Sequence, residues 1–398
     1  MFRYISNWLR ATGRVFAREW QLAIHDAGVL IFFILLPLAY PVVYTLVYNP
    51  EVVRDMPVAV VDNDRTASSR ELVRVAGATP AIHIYDYASD MAEAKRMMAS
   101  GDVCAILEIP SGYGRALGRG TQAHAQMYVE MSLLLRYRNL QSAMADIQME
   151  MATRITTRRI DALGAESLAA GGGLPVSSES NFLGDTEQGF ASFVMPGIVV
   201  LILQQSMLLG ICMLGGTSRE RRRRNNGVDP RQITGVPVSA TVWGKALCYV
   251  VFYIPVTIYI LHFIPEWFHL PHYGNPVDYL LFIFPMLLAS AFLGLSLNWV
   301  MKEREDPFLV IVFSSVVFLF LSGLTWPRYS MNPLWTWLGN LVPGVWGVEG
   351  FIRINSNAAT LGECSRAYIA LWILTAVYLI TAWLVTRHIA RKDRHYIQ

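Results

Sequence analysis

Thr217–Lys245 reads TSRERRRRNNGVDPRQITGVPVSATVWGK and lies between two long apolar runs. It carries Arg219, Arg221, Arg222, Arg223, Arg224 and Arg231. A segment this basic is retained on the cytoplasmic side of a bilayer, which fixes the orientation of both flanking spans. Working outward from it, Phe190–Gly215 (core 191–215) is the span before the segment and Trp243–Ile264 (243–264) the span after it. Residues 216–242 are then expected to form a cytoplasmic loop, long enough for a cytosolic partner to grip.

Composition agrees with a membrane protein. Of 398 residues, 54% are hydrophobic and 16% are charged, and mean hydropathy is +0.35; soluble domains carry about a quarter charged residues. The pattern predicts six transmembrane helices and an inserted extracytoplasmic α/β domain, in a polytopic α-helical membrane protein. The other spans are 28–48, 277–301, 308–325 and 368–390. Lys302–Pro307 (KEREDP) is a tight cytoplasmic turn, and 391–398 is a basic cytoplasmic tail. Lys and Arg number four in residues 1–27, six in the arginine loop, two in 302–307 and four after residue 386. The short outer segments hold only Arg328, Arg353 and Arg366. That asymmetry places both termini in the cytoplasm.

Residues 1–27 read as an amphipathic interfacial helix. Ile5, Trp8, Leu9, Thr12, Phe16, Trp20, Ala23 and Ile24 make one stripe, and Arg10, Arg14 and Arg18 a basic one facing anionic membrane lipid. The segment 49–190 alternates strand and helix patterns: strands at Pro57–Val61, Ile82–Tyr85, Val103–Ile109 and His124–Glu130, helices at Ala67–Ala76 and Ser89–Ser100, and a long helix at Leu133–Leu163. Ala169–Ser180 reads as a linker. Asp62 and Asp64 bracket a turn after the first strand. They lack the glycine and distal glutamate of a calcium loop, so an Asx turn or helix cap is the better reading than a metal site. The four cysteines have no metal-ligand spacing; Cys212 and Cys248 fall in or beside spans, while pairing of Cys104 with Cys364 stays open.

Several activities find no support. There is no phosphate-binding glycine loop, no nucleophile or metal constellation, no acidic residue at mid-span for a proton relay, and no nucleic-acid reader motif. The in-span polar groups Gln204, Gln205 and Asn298 are pathway candidates, with interhelical hydrogen bonding as the plainer alternative. The outer segment 326–367 contains Trp326, Pro327, Pro343, Glu349 and Arg353 and is expected to form short helices dipping back toward the membrane. Glu349 and Arg353 would pair at i,i+4, and Trp335, Trp337 and Trp346 would make an aromatic belt. Such a cap either gates an exit or anchors two spans.

Four stretches in order carry a family resemblance: VAVVDNDRTASSRELVR (58–74), GDVCAILEIPSGYGRALGRG (101–120), FVMPGIVVLIL (193–203) and LSGLTWPRYSMNPLWTWLGNLVPGVWGVEGFIRI (321–354). The chain resembles ABC-2 type permeases with a large extracytoplasmic domain between spans one and two. The resemblance implies the permease subunit of an ATP-driven exporter of drug-like, lipophilic or other bulky molecules in a bacterial inner membrane. It further implies a separate cytoplasmic ABC ATPase that holds ATP and Mg, a second permease copy or a paralogue, and in some relatives a periplasmic adaptor. No cofactor is expected in this chain and no nucleic-acid partner. ATPase coupling then falls on Glu220, Arg221, Arg222, Arg223, Arg224, Gly227 and Pro237 of the loop and on Lys302 and Glu303 of the turn. The family's coupling segment usually holds further acids; here Arg222 and the Asp229–Gln232 region stand in their place. The alternative is a non-transporting membrane scaffold or sensor whose α/β domain binds a ligand or an envelope partner.

Overall fold

A computed structural model describes residues 2–48, 53–131, 134–162, 189–225, 228–233 and 235–397. The chain divides into two compact units: residues 1–51 with 182–398, and residues 52–181.

The first unit is helical. Among the described residues, five helices are long and apolar enough to cross a membrane: Ala27–Val47, Phe190–Arg224, Val238–Trp267, Pro276–Leu297 and Ser365–Arg391. They are spans 1, 2, 3, 4 and 6 below. The region expected to be span 5 is a shorter apolar helix, Phe308–Leu321, whose first five residues are a π-helix. Its 14 residues reach about 21 Å, against the ~30 Å of a hydrocarbon core. Asp26 opens span 1 by accepting the N–H groups of Gly28 and Val29. Span 1 then passes through a π-helical turn at Ile31–Leu35, just before Pro37 and Pro41 interrupt its hydrogen-bond ladder.

Two segments differ from the sequence expectation. The arginine-rich stretch is not a loop up to Lys245. Span 2 runs unbroken for 35 residues to Arg224, and span 3 begins at Val238. Nothing in SRERRRR breaks a helix, and cations in a last turn complement the negative end of the helix dipole; the break comes at Asn225. Similarly, the helix of span 6 continues through the basic tail to Ile397.

The N-terminal helix, Phe2–Ile24, packs lengthwise on the first half of span 3. Its buried residues are Ala11, Thr12, Val15, Glu19 and Ala23; Thr12 and Ala23 belong to the expected apolar stripe, of which Ile5, Leu9 and Ile24 are exposed. Small side chains permit that contact: a Cβ on Gly244 would lie 2.7 Å from the Thr12 carbonyl oxygen and 2.8 Å from Val15 Cβ.

The second unit contains a four-stranded sheet in the order β2-β1-β3-β4. β1 (Met56–Asp62) is central and parallel to β2 (Ile82–Tyr87) and β3 (Ala105–Ile109); β4 (Gln126–Val129) is antiparallel to β3. Val58, Val60, Leu107 and Ile109 share a core with helix Ala67–Gly77 and with Leu140, Ala143, Ile147 and Met151 of the long helix Leu134–Ala162. Ala59, Val61 and Ile106 pack with helix Met91–Ser100 on the other face. Burial on both faces is why β1 and β3 are continuous apolar runs rather than alternating ones. The expected linker at Ala169–Ser180 lies outside the described residues.

Asp62 and Asp64 spend their oxygens on the chain itself. Asp62 accepts the N–H groups of Asp64 and Arg65 at 3.0 and 2.9 Å and the Ser69 hydroxyl at 2.7 Å. Asp64 accepts the Thr66 hydroxyl at 2.6 Å and the N–H groups of Gly112 and Gly114 at 2.8 Å each. The Thr66 hydroxyl first, and against the opposing effect of burial the N–H groups of Gly114 and Gly112, hold the Asp64 carboxyl below its ordinary value. A depressed carboxyl stabilises the fold above its unfolded pKa and loses that contribution as pH falls through the folded value. Asp64→Ala in the full chain is therefore expected to raise amide exchange at residues 112–114 at neutral pH. Wild type is expected to approach the variant only as pH falls below the usual carboxylate range. Equal exchange by both proteins at neutral pH would contradict this.

Candidate functional site

The basic end of the helical unit is built around the extension of span 2. Gly216 lets the 302–307 turn lie directly on it: a Cβ there would collide with the Glu303 carbonyl. One turn further, Glu220 Oε1 accepts the Arg304 backbone N–H at 2.7 Å, and the Arg219 guanidinium donates to the Met301 carbonyl at 2.8 Å. The turn also braces itself, because Asp306 accepts the N–H groups of Lys302 and Glu303 at 2.6 and 3.0 Å. Arg304 then reaches the Asp26 carboxylate at the mouth of span 1. Three elements far apart in sequence thus meet at one polar knot.

The remaining linker, 225–237, is fastened by Asp229, which is 3% exposed. Its carboxylate accepts from Arg221 Nε at 3.0 Å, from the Ser218 hydroxyl at 2.6 Å and from the Arg231 N–H at 3.0 Å. Burial pushes this carboxyl upward, but Arg221, Ser218 and the Arg231 N–H outweigh burial and hold it below the usual carboxylate value. Arg222 bonds the Gln232 side chain, and Arg18 Nε bonds the Arg231 carbonyl at 3.0 Å. The N-terminal helix is held beside them. Glu19, 4% exposed, pairs with Lys245 at 3.2 Å and accepts the Tyr249 hydroxyl, while Trp8 Nε1 donates to Ser239 Oγ at 3.1 Å.

The predicted coupling residues therefore separate into two groups. Glu220, Arg221 and Arg222 make bonds within the chain. Arg223, Arg224, Lys302 and Glu303 are exposed, with Arg223 and Glu303 3.5 Å apart. Pro237 directly precedes span 3, and Gly227 lies outside the described residues. Asp26, Glu19, Asp229, Lys245 and Arg304 were not among the predicted residues. An acid a few residues after a dense run of arginines was the available signal for Asp229.

At the other end of the unit, helices Pro333–Asn340 and Pro343–Asn357 form the segment expected to dip back. Glu349 and Arg353 do approach, at 3.6 Å, but Arg353 is half exposed. The primary partner of Glu349 is Arg328, which also bonds the Asn340 side chain and lies 4.8 Å from the centre of the Trp346 ring. Trp346 is 7% exposed and donates to the Asn340 carbonyl at 3.0 Å, so it is packed inside and does not join Trp335 and Trp337 in an exposed belt. Trp326 is exposed and bonds Ser330, Pro327 precedes the short 3-10 turn Arg328–Ser330, and Pro343 starts the second helix.

The in-span polar residues Gln204 and Asn298 lie at different levels of span 2. Gln204 Oε1 accepts the Gly344 N–H, whereas Asn298 sits beside Gly215, about 16 Å further along span 2. The Gln205 amide makes no hydrogen bond to the described residues. All four cysteines are free and buried, and no group of three or more His, Cys, Asp or Glu residues could hold a metal among the described residues.

Residues 27–384 match the family described as ABC-2 family transporter protein. The chain belongs to the ABC-2 transporter family. It is accordingly a multi-pass membrane component of an ABC transporter. No curated protein matches the ABC-2 chain. Within this family member, the polar knot and the Glu349 cluster are two places where separate elements of the helical unit are fastened by charge.

Proposed function

We propose that this ABC-2 protein is the permease half of an ATP-driven exporter, working as two copies or with a paralogue, and moving drug-like, lipophilic or otherwise bulky molecules outward. The observation that carries this reading is the basic knot in a chain of this family: Glu220, Arg304 and Asp26 connect the extension of span 2, the 302–307 turn and the start of span 1. A load applied to that end by a cytoplasmic ATPase would reach three spans together. Arg223 and Arg224 are the exposed cations for the ATPase itself, while Glu220, Arg221 and Arg222 transmit. The two termini are cytoplasmic in this reading, and the 52–181 unit is extracytoplasmic, where a periplasmic adaptor would meet it.

The test is co-purification with a cytoplasmic ABC ATPase. Arg223→Glu with Arg224→Glu is expected to weaken the complex by roughly tenfold or more at low salt, about 1.4 kcal/mol, and by less at high salt, since exposed charges are screened. Undiminished binding by the double variant would remove these arginines from the interface. Failure of any such ATPase to bind the wild-type chain would remove the proposed function.

A further inference from the structure

Span 2 and the helix Pro343–Asn357 meet in the buried interior of the helical unit. Gln204 lies 14 residues into the helix that begins at Phe190, about 21 Å along its axis. It is fully buried, and its Oε1 accepts the Gly344 N–H. The first N–H groups of any helix lack partners within it, and inside a bilayer each must find one in protein. Here they are accounted for in order. Pro343 has no N–H. Gly344 donates to Gln204. Val345 N–H turns back to the Val342 carbonyl at 3.1 Å. The fit requires glycine, because a Cβ on residue 344 would stand 2.6 Å from Gln204 Oε1.

The same helix that supplies Gln204 supplies Arg219, Glu220 and Arg221 of the basic knot. From Gln204 to Arg224 it contains no proline; its one internal proline, Pro196, lies on the far side of Gln204. At the other end of this path, Pro343–Asn357 carries Glu349 and Trp346, which hold Arg328.

We propose that Gln204 is a positioning residue: it fastens the start of helix Pro343–Asn357 to span 2, so that displacement of the knot is passed along span 2 to that helix and to the Arg328–Glu349 cluster. The required feature is the acceptor oxygen. The Gln204 Nε2 makes no hydrogen bond to the described residues, so its loss should not matter to the fastening. This proposal rests on the permease reading, since it needs an ATPase to load the knot.

The experiment uses the full chain in complex with the ATPase, with spin labels at Asn357→Cys on the helix and Ile369→Cys on span 6. Both positions are exposed, and the native cysteines are buried. Distances are compared with and without a non-hydrolysable ATP analogue. The expected result is a nucleotide-dependent shift in the otherwise wild-type background, loss of the shift in Gln204→Leu, and its recovery in Gln204→Glu, which keeps the acceptor. A shift in Gln204→Leu equal to that of the parent overturns the proposal, as does a parent complex that binds nucleotide without any shift. Loss of the shift in Gln204→Glu while the Gly344 N–H stays as protected from exchange as in the parent overturns it too, because then the acceptor is not what matters. Failure of the ATPase to bind is the separate outcome that defeats the permease reading, and this proposal with it.

Discussion

Asp229→Ala is expected to be the most damaging single truncation at the basic end. Its carboxylate is almost entirely removed from solvent, and it satisfies Arg221, Ser218 and the Arg231 N–H together. Truncation leaves Arg221, whose side chain is only 19% exposed, without its counter-charge. Removing one partner of a buried ion pair costs about 3–5 kcal/mol, and the partial exposure of Arg221 places the expectation at about 3 kcal/mol. The loss should appear as a lower unfolding temperature of the full chain in detergent and as faster amide exchange across residues 228–233. Asp229→Asn, which keeps acceptance from Ser218 but not the charge, should fall between. The pH dependence has a fixed sign: the folded carboxyl is held below its ordinary value. Its contribution is therefore complete above the unfolded carboxylate pKa of about 3.9 and disappears as pH falls through the folded value. The difference between wild type and Asp229→Ala should be full at pH 7 and shrink in acid. A variant as stable as wild type at pH 7 would show that Arg221 finds another anion.

The long apolar runs and the lopsided distribution of Lys and Arg made a multi-pass membrane protein legible from sequence, because hydropathy is a local property. The strands β1 and β3 were legible for the same reason: VAVV and AILEI are short apolar runs closed by Asp or Pro. Helix ends were less so. Arginines were read as loop residues because charge is excluded from the bilayer, yet charge at a helix C-terminus favours continuing the helix, and span 2 does continue. Partners in space were least legible. Glu349 has an arginine four residues away, and the i,i+4 rule pointed to it; the arginine it chiefly bonds is 21 residues upstream. Asp26 with Arg304, and Glu19 with Lys245, pair across more than 200 residues of sequence. No periodicity within a segment carries that information.

That difference makes Glu349 the sharper test of the other end. Glu349→Ala leaves the Arg328 guanidinium, whose side chain is 15% exposed, against Trp346 and Asn340 with no anion beside it. The expected cost is about 2–3 kcal/mol, the lower part of the range for breaking buried ion pairs, because both side chains keep some exposure. Arg353→Ala removes a 3.6 Å contact from a side chain that is 52% exposed, and exposed pairs of that kind contribute between nothing and about 1 kcal/mol. The two substitutions should therefore differ clearly in unfolding temperature. Amide exchange should rise between residues 328 and 340 only for the first. Arg328→Ala should resemble Glu349→Ala, and Arg328→Lys should recover little: one ammonium cannot reach Glu349 and Asn340 while also covering the Trp346 ring as a planar fork does. Equal behaviour of Glu349→Ala and Arg353→Ala would return the pairing to the helix itself. The predicted inequality places it between the 326–330 turn and the helix, where a charge can fasten or release a segment that local sequence does not hold.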